Sequence, residues 1–397
     1  MLDTPGALPA RFPPEARPVA QALQASLIRD VANAGMGRDD ILPFWFGESD
    51  LPTAQFIRQA AMDALERGET FYSQNLGRPY LREALSGYLS TLHDRPIAAD
   101  RIAATSSGLS GLMLAAQLLL SPGDRVVAVT PLWPNVTEIP QILGAEVVRV
   151  PLNVTDGRWS LDLDRLLAAL TPETRMLIVN SPNNPTGWTI DDAAVDALTA
   201  HCRRHGIWIL ADDVYERLIY DPSRRSAPSF LARYEDGDRI ISANSCSKAW
   251  SMTGFRTGWL VLPEVLQADM TKLIEYNTSC IPEPMQRAAA LAVTEGEPEV
   301  TALKARLSES RALLVEGLRA LPGITVPEAG GAMYVFFAMD GQDDTLALAQ
   351  RLVAEVGLGL APGAAFGPEG RGWLRWCHAS APAKLADGLA RLQRFIG

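Results

Sequence analysis

The chain has 397 residues, 47 % apolar and 21 % charged, the proportions of a folded globular protein of two to three domains or one large α/β core with a satellite. Its 36 Lys and Arg against 46 Asp and Glu leave a net charge of −10, a surface that repels phosphate backbones and anionic lipid. That argues against nucleic acid or a membrane surface as partner.

Residues 1–20, rich in Pro and Ala, are expected to form an extended arm, and the opening MLDTPGALPARFPPEARP has no charged-then-apolar leader pattern. Apolar positions recur at helical spacing from Gln55 to Leu65, with Pro52 suiting a helix start just upstream. Strands and helices then alternate. Strands are predicted at Asp124–Thr130, Glu146–Val150, Arg175–Asn180, Gly206–Ala211, Arg239–Ala243 and Thr257–Leu262, with helices at Leu109–Leu120, Leu161–Leu170 and Asp192–His205. MLIVN and IWILA are nearly continuous apolar runs, as expected of parallel strands with helices on both faces. After about residue 263 long helical patterns dominate to Leu321, followed by strands at Ala332–Met339 and Trp373–Cys377 and a last helix. That reads as a second, α+β unit sharing a cleft with the sheet. The longest apolar run, Leu112–Leu120, is interrupted by Gln117 and too short to span a bilayer. Cys202, Cys246, Cys280 and Cys377 form no CxxC pair, which fits a reducing, cytoplasmic setting and no structural zinc.

Several segments carry chemistry-bearing residues, and each has an ordinary structural reading beside it. His201 and His205 stand four apart on a predicted helix, but Cys-Arg-Arg nearby would repel a metal dication; a solvated helix end is favoured. Ser106-Ser107-Gly108-Leu109-Ser110-Gly111 opens an apolar helix, where free N–H groups can surround an anion or small residues can simply cap. It is not GxGxxG, Walker A or GxSxG, so NAD, ATP and hydrolase readings gain nothing. NSPNNPTG follows the strand RMLIVN, ILADDVYE ends another, and Ser245-Cys246-Ser247-Lys248 follows a third, with Arg256 eight residues on. Loops at the C-terminal ends of buried strands are where open α/β sheets hold ligands. A Lys among small residues there suits a Schiff-base amine or a plain surface position.

All these segments follow sheet strands in one order along the chain. Together with PFWFGESD, FYSQNLGRPYLREAL, PLWPN, SCSKAWSMTGFRTGW and LRWCHAS, they make the chain resemble the class I/II (fold-type I) pyridoxal-phosphate aminotransferases, from about Phe44 to Arg375. The resemblance implies an α/β fold: a large domain with a mostly parallel seven-stranded sheet covered by helices, plus a smaller α+β domain. The corresponding division is 1–50 for the arm and part of the small domain, 51–295 for the large cofactor-binding domain and 296–397 for the C-terminal small domain. It further implies an amino-acid aminotransferase acting through pyridoxal 5′-phosphate, with an amino acid and a 2-oxo acid as substrates and a homodimer with composite active sites.

By the same resemblance Lys248 carries the cofactor and shuttles a proton, and Asp212 pairs with the pyridinium nitrogen. Tyr215 and Asn184 meet the ring O3′, and Trp133 stacks on the ring. The phosphate falls to Gly108, Leu109, Ser110, Ser245 and Arg256, with Tyr72 reaching across from a second subunit. Arg375 grips the substrate α-carboxylate, assisted by Gly47 and Asn184. One departure bears on specificity. A subgroup acting on aspartate and prephenate carries Lys where this chain has Leu109, and EYNTSCIPEPMQ lacks the Arg another aspartate-type subgroup uses. Burying an unpaired second carboxylate is costly, so strict dicarboxylate specificity is not expected. Trp45 and other arm aromatics would then line a pocket for neutral or aromatic side chains, with Arg78 the one cation near Tyr72 able to rescue an acidic one. A β-lyase or cyclopropane-forming synthase on the same scaffold shares these residues. A non-catalytic regulator of the same fold would carry an added DNA-binding domain, for which the residues before the core have no basic helix.

Overall fold

Seven strands build the central sheet: β1 (Ile102–Thr105), β2 (Arg125–Thr130), β3 (Glu146–Pro151), β4 (Thr174–Asn180), β5 (Trp208–Asp212), β6 (Ile240–Ser245) and β7 (Gly258–Val261). In the computed structural model, which describes residues 15–397, they lie in the order β1-β7-β6-β5-β4-β2-β3. Only β7 runs antiparallel to its neighbours; the remaining pairs are parallel. The apolar runs explain this burial. Leu177, Val179, Ile209 and Ala211 face one core, while Met176, Ile178 and Leu210 face the other, as strand alternation requires. Six of the seven strands coincide with apolar runs predicted from sequence. β1, IAAT, was not among them, because two alanines in a four-residue run give little strand signal until β7 pairs with it.

The first core continues through Phe336, Leu352 and Trp376 into a second, antiparallel sheet of β8 (Ile324–Thr325), β9 (Tyr334–Met339), β10 (Ala361–Pro362) and β11 (Trp373–Cys377), in the order β8-β9-β11-β10. The 23-residue helix Glu297–Arg319 leads into it.

Residues 1–14 of the expected extended arm lie outside the described residues; beyond them Pro18–Ala22 is helical, with Pro at the first helical position. Helix α1 (Leu27–Gly35), capped by the Ser26 hydroxyl, packs on the helix Thr345–Val356. Leu42–Pro43 then pairs in parallel with Leu358–Gly359, tying this segment to the C-terminal unit. Trp45 is buried there, its ring filling the space a β-carbon at Gly359 would need. This corrects the expectation that Trp45 lines a substrate pocket.

Candidate active site

The sheet register brings the motif loops together. β4, β5 and β6 end at Asn180, Asp212 and Ser245; Asn180 is paired with Asp212, and Asp212 with Ala243. Ser245 lies opposite Gly258 of β7, which in turn faces Thr105 at the end of β1. The loops after β1, β4, β5 and β6 therefore open on one edge, and a cavity of about 740 Å³ lies above it. Of the residues given a cofactor or α-carboxylate role by the resemblance, all but Ser110 and Tyr72 line this cavity. Gly47, Tyr334 and Arg375 close it from the C-terminal unit's side.

Lys248 sits in a single helical turn, Cys246–Ala249, directly after β6, and its Nζ donates to the Gly47 carbonyl. Removal from water pushes its pKa down to about 8, against the pull of Cys377 and Glu48 and with repulsion from Arg375 and Arg256 acting in the same sense as burial. Asp212 is buried, and burial raises its carboxyl to about 7, opposed by the Val214 N–H and by Lys248. Such an acid is poised to ionise beside a cation. Its own carbonyl accepts from Asn180 Nδ2 at 3.0 Å, and Asn180 Oδ1 accepts from the Asn184 N–H at 2.8 Å. Beneath it, Ser242 donates to Asp213 at 2.6 Å, and Asn244 links Glu216 to the Ser245 N–H. His93, without a visible partner in sequence, faces that same Glu216 at 3.4 Å.

Helix α2 (Gly108–Leu119) starts at the cavity. Its N-cap Ser107, at φ 138°, accepts from Ser110 N at 3.0 Å, and Ser110 does not line the cavity, which corrects its place among the phosphate residues. The backbone here is packed so closely that a β-carbon at Gly258 would strike the Gly108 N–H. Arg256, held at φ 53° with one guanidinium nitrogen donating to Thr253 O, lines the same end. Trp133, part-buried before the helix Pro134–Ile142, lines the cavity with Asp212 and Lys248.

Arg375 is 2 % exposed on β11. One terminal nitrogen donates to Asn184 Oδ1 at 2.8 Å, another to the Trp45 carbonyl, while Nε has no partner among the described residues. No carboxylate pairs with it among those residues, so a buried guanidinium is left with donors to spare, the state a substrate carboxylate would relieve. Tyr72, by contrast, is 88 % exposed and outside this cavity. Arg78 is committed to Glu283 at 2.6 Å and to Gln74 at 3.0 Å, which corrects its candidacy as a receiver for acidic substrates. His201 donates Nε2 to the Leu170 carbonyl at 2.8 Å with its ring 4.5 Å from His205, so its polar edge serves the fold.

Among the cavity residues that escaped the sequence reading, two bear on the chemistry. Tyr334, in the apolar run YVFFAM, looks like any core aromatic. Arg29, on α1, lay in a stretch without a motif.

The family described as aminotransferase class I and II matches residues 40–392. The chain belongs to the class I and II aminotransferases. An aspartate aminotransferase of Pyrococcus horikoshii is 32 % identical, covering 94 % of this aminotransferase and 95 % of its own length. An arginine–pyruvate transaminase of Pseudomonas aeruginosa is 31 % identical over 85 % of each chain. Among solved structures, a Thermus thermophilus aspartate aminotransferase superposes with a TM-score of 0.88 at 29 % identity, covering 96 % of this chain and 99 % of that one. This protein is accordingly an amino-acid aminotransferase that uses pyridoxal 5′-phosphate. The cavity fits that group: an amine of lowered pKa, a buried acid awaiting a cation, and a helix start with Arg256 for a phosphate.

Proposed function

We propose that the aminotransferase exchanges the amino group of a range of amino acids, with Arg375 holding the α-carboxylate and Lys248 moving the proton. When bound, pyridoxal phosphate supplies the electron sink that acidifies the substrate Cα proton and carries the amino group between half-reactions. The buried Arg375 facing a depressed-pKa amine carries this reading. Lys248, its pKa lowered by burial, would take the proton from the substrate Cα and return it at the cofactor's C4′. Asp212 would pair as a carboxylate with the pyridinium nitrogen, and the Tyr215 hydroxyl and Asn184 side chain would donate toward O3′. Trp133 holds the ring plane. Gly108 and Leu109 at the start of α2, with Ser245 and Arg256, would receive the phosphate, while Ser110, its N–H already bonded to Ser107 and its side chain not lining the cavity, would not; the Gly47 backbone would meet the substrate carboxylate.

The cavity lining includes the apolar residues Ile28, Phe46, Leu109 and Leu112, with the Arg29 guanidinium 5.0 Å over the Phe46 ring. An apolar wall favours neutral and aromatic side chains. Arg29, exposed and screened, offers an acidic one a weak partner only, so specificity is not strictly dicarboxylate. We place the second copy of the chain over Phe71, Tyr72 and Tyr276, which are 81–89 % exposed, so that Tyr72 completes the neighbouring phosphate site in a homodimer. No helix among the described residues is long and apolar enough to cross a membrane, and four free cysteines suit the cytoplasm. The deciding experiment mixes the cofactor-loaded protein with single amino acids and no oxo acid. Loss of the cofactor's visible band with stoichiometric oxo acid supports the exchange and ranks donors; retention of the band with every donor refutes it.

A further inference from the structure

Tyr334 opens β9 and is 1 % exposed. Three elements of the site meet on it. Its hydroxyl lies 2.5 Å from the Tyr215 hydroxyl, the two rings edge-on at 76°. The Arg375 guanidinium stands 4.4 Å over its ring face. The same hydroxyl occupies the place a β-carbon at Gly47 would take, and the Gly47 carbonyl accepts from Lys248.

We propose that Tyr334 is a positioning residue that sets the direction of the Tyr215 proton and braces the Arg375 guanidinium, so that one side chain holds both the cofactor partner and the carboxylate grip. The proposal rests on the roles assigned to Tyr215 and Arg375 above. Each phenol has one proton to give. If Tyr215 donates to Tyr334, its proton is spent between the two rings. If Tyr334 donates, the Tyr215 oxygen accepts and its own proton points elsewhere, toward the cavity. The cation over the Tyr334 ring favours this second arrangement, because it makes that phenol the stronger acid of the pair. The balance of charges agrees: burial raises both hydroxyls, but Tyr334 only to about 12, with Arg375 pulling it down, and Tyr215 further. The ring face contributes separately, stabilising a buried guanidinium that lacks a carboxylate partner among the described residues.

The two contributions come apart by substitution. Tyr334→Phe keeps the ring and loses the hydroxyl; Tyr334→Leu loses both. In the cofactor-loaded protein, Tyr334→Phe is expected to raise the midpoint of the cofactor's absorbance–pH titration by about one unit, the worth of one net hydrogen bond. Tyr215→Phe should raise it further, and the double variant no further than Tyr215→Phe alone. Affinity for a non-reactive substrate-like carboxylate, read by the same absorbance, should be unchanged in Tyr334→Phe and roughly tenfold weaker in Tyr334→Leu. An unmoved titration in Tyr334→Phe, with the Tyr215→Phe shift intact, overturns the proposal and leaves the role of Tyr215 standing. Unmoved titrations in both variants overturn the proposal together with that role. Carboxylate affinity retained in Tyr334→Leu overturns the brace. If Tyr334→Phe fails to load, an unchanged thermal midpoint of its cofactor-free form supports a role in cofactor positioning, and a collapsed one overturns it in favour of mere packing.

Discussion

Asn184 and Arg375 are joined at 2.8 Å although 191 residues separate them: one lies in the turn after β4, the other on β11 of the C-terminal sheet. This bond clamps the two units across the cavity and holds the guanidinium for an incoming carboxylate. Arg375→Ala should weaken the apparent affinity for every amino-acid donor by about 10- to 100-fold, the range of one to two charge-assisted bonds. Equal affinities in wild type and variant would remove Arg375 from substrate binding. Arg375→Lys should recover only part, since an ammonium cannot reproduce the planar fork that meets Asn184, Trp45 and a carboxylate together.

Lys248→Ala should abolish turnover with the fold intact, and residual exchange near the wild-type rate would assign the wrong lysine. In the wild-type protein, the rate of cofactor capture should follow the neutral amine. Below the value of about 8 it should fall tenfold per pH unit, and above it the rate should level off. A profile still rising steeply past pH 9.5 would mean that the amine is solvated.

The buried Asp212 sets a pH dependence that differs between the cofactor-free and loaded forms. Its folded pKa, about 7, lies above the ordinary carboxyl value of 3.8. The folded state therefore holds the extra proton in that window, and the associated stability is full below it and lost as pH rises through 7. Asp213, also raised by burial and by Glu216, acts in the same sense. The cofactor-free protein should lose up to a few kcal/mol between pH 5 and 8. The loaded protein should lose less, because a pyridinium cation offsets the Asp212 charge. Parallel melting curves for the two forms across this range would contradict the pairing.

If Tyr72 serves the neighbouring site, two inactive variants should complement each other. Tyr72→Ala and Lys248→Ala subunits, refolded together, should form mixed dimers in which one of the two sites is complete. Activity in the mixture above the sum of the separate variants is the expected result, and mere additivity would confine Tyr72 to its own chain.

Arg29→Ala should leave neutral and aromatic donors unchanged while raising the apparent KM for an acidic donor by a few-fold, as a screened surface charge warrants. A uniform loss across donors would mean that α1 shapes the whole cavity.

Much of this molecule is decided locally. Runs such as TRMLIVN and WILAD are apolar on both faces, so they demand cover from helices on each side. Lys248, Asp212, Asn184 and Arg375 stand out through the motifs SCSK, ADDVY, NSPNNPTG and LRWCHAS, which carry the family resemblance. Other features arise only when distant segments meet. β1 is a strand because β7 pairs with it, Arg78 is occupied because Glu283 reaches it, and Trp45 is buried because Gly359 leaves room. Tyr334 carries no local mark at all; its position between Tyr215, Arg375 and Gly47 follows from how β9 docks on the central sheet. Sequence alone marked six of the seven strands of the central sheet and the order of their loops, since hydrophobic period and turn composition are short-range properties, while the chemistry of those loops was read through the resemblance of their motifs to a known family. The tertiary structure decided which side chains share a cavity, which are already paired, and what water has been stripped from Lys248 and Asp212, because burial and partnership depend on residues hundreds of positions apart.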